Sequence, residues 1–227
     1  MSKLFIAGID TDIGKTYATG LLAKYLLLNN KKVTTMKLAQ TGCSGISEDI
    51  SIHREIMEIS LTKFDTDGTT CPYVFKFPAS PHLAANMENE IIDVSKISKS
   101  IDILSSNFEY TLIEGVGGLM VPLNKDFTSL DFIKKENLDV ILVSSPKLGS
   151  INHTLLSIDA LKATNINLLG IIYNTFGDFT EEIKNDSINV FKQYLAKNSY
   201  PKTVVETTDI ANYSDDNIKN LFNKFKI

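Results

Sequence analysis

The sequence predicts an α/β fold: a doubly wound, mostly parallel sheet with helices on both faces. Short runs of Ile, Val and Leu recur along the 227 residues, and the intervals between them carry helical apolar patterns. Continuous apolar runs of this length suit parallel strands covered on both faces, with the helices as crossovers. A second observation is the stretch "GIDTDIGKT" directly after the run "KLFIA", where a strand gives way to a helix across glycines and a lysine.

The expected strands are "KLFIA" (3–7), "KVTTMK" (32–37), "YTLIEG" (110–115), "DVILVSS" (139–145) and "LLGIIYN" (168–174). Helices are expected near 16–29, 49–60, 94–106, 129–136, 151–164 and 180–197, with a C-terminal helix near 214–226. No Pro/Gly/Ser-rich linker or internal repeat divides the chain, so one domain over residues 1–227 is expected.

Composition narrows the function. A net charge of −4 argues against a general nucleic-acid surface, because phosphate-backbone binding needs a basic face. Cys43 and Cys71 form neither a disulfide framework nor a metal cluster, and free thiols in a reducing compartment are expected. With no signal-like start and no run of about 18 apolar residues, a cytoplasmic protein without a membrane partner is expected. His53, His82 and His153 lack metal-ligand spacing and are expected at the surface or in polar packing.

The GIDTDIGKT stretch reads as a phosphate-binding loop. A helix N-terminus offers unpaired N–H groups and the positive end of a macrodipole, and glycine lets those amides approach an anion. Lys15 adds charge for the outer phosphates, and the Thr16 hydroxyl suits the accompanying Mg²⁺. Five residues, rather than four, separate Gly8 from Gly14.

In open α/β sheets ligands gather at the carboxyl ends of the strands, which names further candidates. Glu114 closes an apolar strand beside Gly115, Gly117 and Gly118, where an acid can help bind Mg²⁺ or make local turn hydrogen bonds. Asp49 is a second candidate for the metal, or else a helix N-cap. Lys37 ends "VTTMK" and either snorkels to solvent or supplies a second cation beside Lys15. Thr41 and Gly42 follow on a loop that can reach the same acceptor.

"GIDTDIGKT", "KLAQTG", "FPASPHLAA", "IEGVGGLMVPL", "KLGSINH" and "IIYNTF", in this order over roughly residues 4 to 176, resemble the dethiobiotin synthetase family. The resemblance implies a homodimeric ligase of biotin synthesis, dependent on ATP and Mg²⁺, that makes dethiobiotin from 7,8-diaminopelargonic acid and CO₂. It implies catalytic roles for Lys37, Lys15 and Thr11. The nucleotide would lie against Asp12, Ile13, Gly14, Lys15, Thr16, Tyr17, Asp49, Glu114, Gly115, Val116 and Gly117, with Asn174 recognising adenine. The metal ligands would be Thr16, Asp49 and Glu114. Thr41 would contact the substrate, and the helix start at Gly149, Ser150 and Asn152 would hold the far carboxylate of substrate bound mainly by the other subunit.

Three alternatives share parts of this pattern. A partition-type ATPase switch carries a lysine five positions before the loop lysine, where Asp10 stands here. An amidoligase related to cobyrinic acid amide synthesis is normally fused to a glutaminase domain, for which this chain has no room. A small-molecule kinase shares every phosphate-handling feature and is separated only by its products.

Overall fold

The structure is a computed structural model that describes residues 1–225 and 227. In chain order the elements are β1 (Ser2–Gly8), α1 (Lys15–Leu28), β2 (Val33–Lys37), β3 (Gln40–Thr41), α2 (Glu48–Met57), α3 (Lys63–Thr66), β4 (Val74–Phe75), α4 (Pro81–Met87) and α5 (Val94–Asn107). They continue with β5 (Tyr110–Gly118), α6 (Ser129–Lys135), β6 (Asp139–Ser144), α7 (Ser150–Ala163), β7 (Leu168–Asn174), α8 (Glu181–Lys197), β8 (Val204–Thr207) and α9 (Asp215–Phe222).

Six strands form one sheet in the order β2-β5-β1-β6-β7-β8. Each neighbouring pair in it is parallel. The five expected strands lie where the apolar runs put them. They are buried for a physical reason: helices cover both faces, so Leu112, Ile113, Val140, Ile141, Leu142, Ile171 and Ile172 have no exposed surface. Burying a side chain of this size is worth about 1.5–3 kcal/mol against leaving it in water, and this term drives the sheet together.

β1 lies at the centre, with β5 on one side and β6 on the other. The chain crosses from one half of the sheet to the other around β1, so the loop after it opens at the switch point where ligands bind in such sheets.

Seven of the helix starts are of two kinds. The starts of α2, α5, α6, α8 and α9 are capped by the side chains of Ser47, Asp93, Thr128, Thr180 and Ser214, each accepting from a backbone N–H of its own first turn. The starts of α1 and α7 have left-handed glycines, Gly14 and Gly149, and no side-chain cap. The first amides of α1 are left for another acceptor, while at α7 the Ser150 N–H donates to the Lys147 carbonyl.

Several elements depart from expectation. The helix expected near 214–226 is Asp215–Phe222, residue 226 lying outside the described residues. β8, α3, α4 and the two-residue pair β3–β4 were not expected. Ser150 is the first helical residue of α7, not its cap, since the chain turns at Gly149 with φ 90°.

Candidate active site

The carboxyl ends of β1, β2, β5, β6, β7 and β8 surround a cavity of about 570 Å³. Thr11, Asp12, Ile13, Gly14, Lys15, Thr16, Tyr17, Lys37, Thr41, Asp49, Glu114, Val116, Gly117 and Asn174 all line it, so most of the sequence-derived candidates meet in one place.

The loop from Gly8 to Gly14 is shaped by close contacts. The Lys15 ammonium folds back to donate to the Asp10 carbonyl. A Cβ at Gly8 would lie 2.7 Å from the Lys15 side chain, so only glycine leaves room for that fold. At Gly14, φ is +86° and a Cβ would stand 2.2 Å from Asn174 Nδ2. Asn174 Nδ2 donates to the Ile13 carbonyl at 3.0 Å, tying the end of β7 to the loop. Lys147, after β6, donates to the Asp12 carbonyl at 3.0 Å and braces the loop from the other side.

Below the loop is a buried charge cluster. Lys37 Nζ stands 2.6 Å from Asp49 Oδ2 and 2.8 Å from Glu114 Oε1, and donates to the Gly115 carbonyl at 3.1 Å. Lys37 is therefore not a snorkelling lysine: it is 5% exposed and turned into the site. Thr16 Oγ1 donates to the same Glu114 oxygen at 3.1 Å. Asp49 is not the cap of α2, because Ser47 accepts from the Ile50 N–H in that role. Its carboxylate is free to face Lys37.

Charge and burial compete at each of these groups. Burial alone would raise the Glu114 carboxyl, but the Lys37 charge and hydrogen bonds from His53 and Lys37 hold it well below the usual range. For Lys37 burial works the other way, and the charges of Glu114 and Asp49 overcome it and carry the ammonium above its ordinary value. Lys15 is pushed down to about 8, first by burial and then by the nearby Lys37 charge. The Lys37 charge thus raises the demand at Lys15 for an anion.

Four expected residues stand outside the cavity. Gly115 is covered by Phe5 and contributes its carbonyl to Lys37. Gly149 and Asn152 are exposed at the start of α7, and Ser150 is buried with its hydroxyl 3.4 Å from that of Ser145. The cavity also has walls that sequence reasoning missed: Gln40, Ser145, Lys147, Phe176, Phe179 and Thr207 to Asp209. Lys147 stood in a quoted motif at a strand end, and that position was a usable signal. For Thr207 to Asp209 the β-branched run "TVVET" was the available cue. Another group, His53, lies beneath the cavity, with Nε2 2.8 Å from Glu114 Oε2. Cys43 and Cys71 are both buried and unpaired, as expected of free thiols.

A family model described as an AAA domain matches residues 2–210. A protein of Pasteurella multocida named ATP-dependent dethiobiotin synthetase BioD 2 is 46% identical over 211 residues, which cover 92% of this chain and 99% of that protein. A protein of the same name from Haemophilus influenzae is 49% identical over 176 residues, 78% of this chain and 92% of its own. One from Chlorobaculum tepidum named ATP-dependent dethiobiotin synthetase BioD is 45% identical over 202 residues, 89% and 84% of the two chains. Among solved structures, a plasmid partition protein from Borrelia burgdorferi superimposes with a TM-score of 0.59 at 18% identity, covering 98% of both chains. The MinD cell division protein of Aquifex aeolicus gives a TM-score of 0.53 at 15% identity, covering 98% of this chain and 89% of its own. At those identities the likeness is one of fold.

Proposed function

The chain belongs to the ATP-dependent dethiobiotin synthetase family, and on that premise we propose that it closes the ureido ring of dethiobiotin from 7,8-diaminopelargonic acid, CO₂ and ATP. One observation carries this: Lys15, Lys37, Thr16, Glu114 and Asp49 meet in a single cavity at the switch point of the sheet. An amine of the substrate captures CO₂ as a carbamate, whose oxyanion attacks the γ-phosphorus of ATP while ADP leaves. The second amine then attacks the carbonyl of the mixed anhydride and expels phosphate. This sequence needs positioning and positive charge rather than a side-chain nucleophile.

In this reading the amides at the uncapped start of α1 and the Lys15 ammonium receive the β- and γ-phosphates. Lys37 faces both the carbamate and the transferring phosphoryl group, and Thr11 and Asp12 line that space. Thr41 contacts the substrate, and Asn174 stands at the end of the cavity assigned to adenine. A hydroxyl and two carboxylates, Thr16, Glu114 and Asp49, are hard oxygen donors of the kind Mg²⁺ takes together with phosphate and water. Glu114 and Asp49 converge on the Lys37 ammonium, and Thr16 donates to the same Glu114 oxygen, so the pocket already favours a cation at that point. Among the described residues no group of three or more His, Cys, Asp or Glu is placed to hold a metal. Phosphate oxygens would therefore complete the shell. When bound, Mg²⁺ neutralises charge on the transferring phosphoryl group.

A homodimer with composite sites is part of the proposal. Gly149, Ser150 and Asn152 stand outside the chain's own cavity, and α7 opens with amides that no side chain caps. Leu156, four residues after Asn152 on α7, is exposed and adds apolar surface beside it, and Leu148 is exposed in the loop before the helix.

ADP release with the diamine and bicarbonate together, and with each omitted, tests the reaction. ADP is expected only when both are present. Robust ADP formation with the diamine in CO₂-free buffer would instead identify a small-molecule kinase. The partition-type switch finds less support, since Asp10 stands where those ATPases carry lysine.

A further inference from the structure

His53, a fully buried residue of α2, touches the candidate metal acid from behind, and the proposed reaction does not use it. Its Nε2 is 2.8 Å from Glu114 Oε2, and its Nδ1 is 2.9 Å from Thr35 Oγ1. Thr35 Oγ1 accepts from Arg54 Nη1 at 2.8 Å. Arg54 in turn donates to Asp65 from Nε at 3.0 Å and from Nη2 at 2.8 Å. Asp65 also accepts from the Thr62 amide, the Thr62 hydroxyl and the Thr70 hydroxyl.

For an imidazole with one hydrogen, the inventory of donors sets the direction of this chain. An ionised Glu114 only accepts, so Nε2 carries the hydrogen toward it. With its one hydrogen on Nε2, the imidazole accepts at Nδ1, and the Thr35 hydroxyl, which accepts from Arg54, donates to it. The series Arg54 to Thr35 to His53 to Glu114 is then complete, with the imidazole tautomer set by its neighbours.

The two oxygens of Glu114 are thereby divided. Oε2 is taken by His53, while Oε1 alone faces Lys37 and Thr16. The terminal torsion of a glutamate is broad, so with partners on Oε1 alone the plane of the carboxylate would be less closely fixed. An apolar residue at 53 would take the His53 partner from both the buried Thr35 hydroxyl and Glu114 Oε2, which is costly in a buried polar network.

We propose that His53 is a positioning residue: together with Thr35 and Arg54 it locks the Glu114 carboxylate so that Oε1 is presented to the Mg²⁺ of the bound nucleotide. The proposal rests on the reading of the cavity as a Mg²⁺–ATP site.

The test compares wild type with His53→Gln and His53→Asn. The Gln amide nitrogen extends about as far as Nε2 and keeps a donor for Glu114. The Asn side chain extends only to the level of Nδ1 and loses it. Three quantities are measured: the half-saturating Mg²⁺ for ADP release, the Mg²⁺ dependence of binding a non-hydrolysable ATP analogue by calorimetry, and the thermal unfolding midpoint. In both Mg²⁺ measurements His53→Asn should raise the requirement about ten-fold or more and His53→Gln by less than about three-fold, at similar unfolding midpoints, as for other partners of metal ligands. A wild-type Mg²⁺ requirement in His53→Asn overturns the proposal, and so does an equal loss in both variants, which marks a packing role. If neither variant folds, ¹⁵N-histidine NMR of the wild type decides, with His82→Gln and His153→Gln giving the assignment. A slowly exchanging hydrogen on Nε2 of His53 upholds the relay, and a hydrogen on Nδ1 overturns it. A wild type that binds the analogue with Mg²⁺ but releases no ADP from diamine and bicarbonate refutes the reaction instead, and the binding measurement still judges His53.

Discussion

At the scale of single residues the site is built from side chains that each answer two demands at once. Lys37 offsets the buried charges of Glu114 and Asp49 and, in the proposed reaction, meets a phosphoryl group and a carbamate. Lys37→Ala should therefore lower kcat by about 10² or more, the scale of a lost preorganised charge contact, while nucleotide affinity changes little. Near-normal kcat would reduce Lys37 to an ion-pair partner. Gly14 meets a steric demand instead. Gly14→Ala places a Cβ in a left-handed backbone conformation, costing about 1–2 kcal/mol, and drives it into Asn174. ATP binding in Gly14→Ala should weaken by about ten-fold or more, read as a rise in the KM for ATP; an unchanged KM would show that the loop yields. Lys15, Lys37 and Glu114 were legible in the sequence because each follows directly from a strand end or a glycine motif. Asn174 was legible as a residue but not in its bond to Ile13, because that contact joins segments 161 residues apart. His53 was legible only as a residue of the surface or of polar packing, since nothing local to α2 says which strand lies under it.

At the scale of elements, the apolar runs located five strands because a strand buried on both faces must be apolar throughout. β8 escaped because it is a four-residue edge strand with an alternating burial pattern, and β3 and β4 because two residues carry no period. α2 is the element that most decides the site, carrying Asp49 and His53 inward while Arg54 fastens it to Asp65 of α3. Asp65 gives that fastening a pH dependence. Burial would raise its carboxyl, but hydrogen bonds from Arg54 and the Thr62 amide, with the Arg54 charge, hold it below its ordinary 3.8. Between the folded and unfolded values the unfolded chain binds the extra proton, so stability rises with pH across that window. The contribution is fully present above about pH 4 and is lost as pH falls through the folded value. Asp65→Asn should be less stable at neutral pH, because the buried Arg54 loses its partner. Below pH 4 its stability should fall less steeply than wild type, by up to about 1.4 kcal/mol per pH unit, the limit for one proton. Denaturant unfolding at pH 3 to 6 measures both slopes, and parallel slopes would remove Asp65 from the acid sensitivity.

At the scale of the whole molecule, one cavity gathers the ends of six strands, yet the helix start that should hold the substrate's far carboxylate is not among its walls. A second copy related by two-fold symmetry can bring its own α7 to that cavity, and then each site takes its phosphate loop from one chain and Asn152 from the other. The resemblance over residues 4 to 176 suggested this arrangement, and no local pattern could have, because a dimer face is surface in the single chain. The arrangement has a consequence in mixed dimers. Lys15→Ala and Asn152→Ala are made separately and assayed at a substrate concentration where each homodimer is nearly inactive. In a mixed dimer one site collects both substitutions and the other collects neither. Unfolding and reassembling an equal mixture makes half of the dimers mixed, each with one sound site in two, so roughly a quarter of wild-type activity should return. Recovery below that level is expected if reassembly is incomplete, so the fraction of mixed dimers is measured with differently tagged chains. With mixed dimers present and no gain in activity, Asn152 serves its own subunit or none, and the composite site is abandoned.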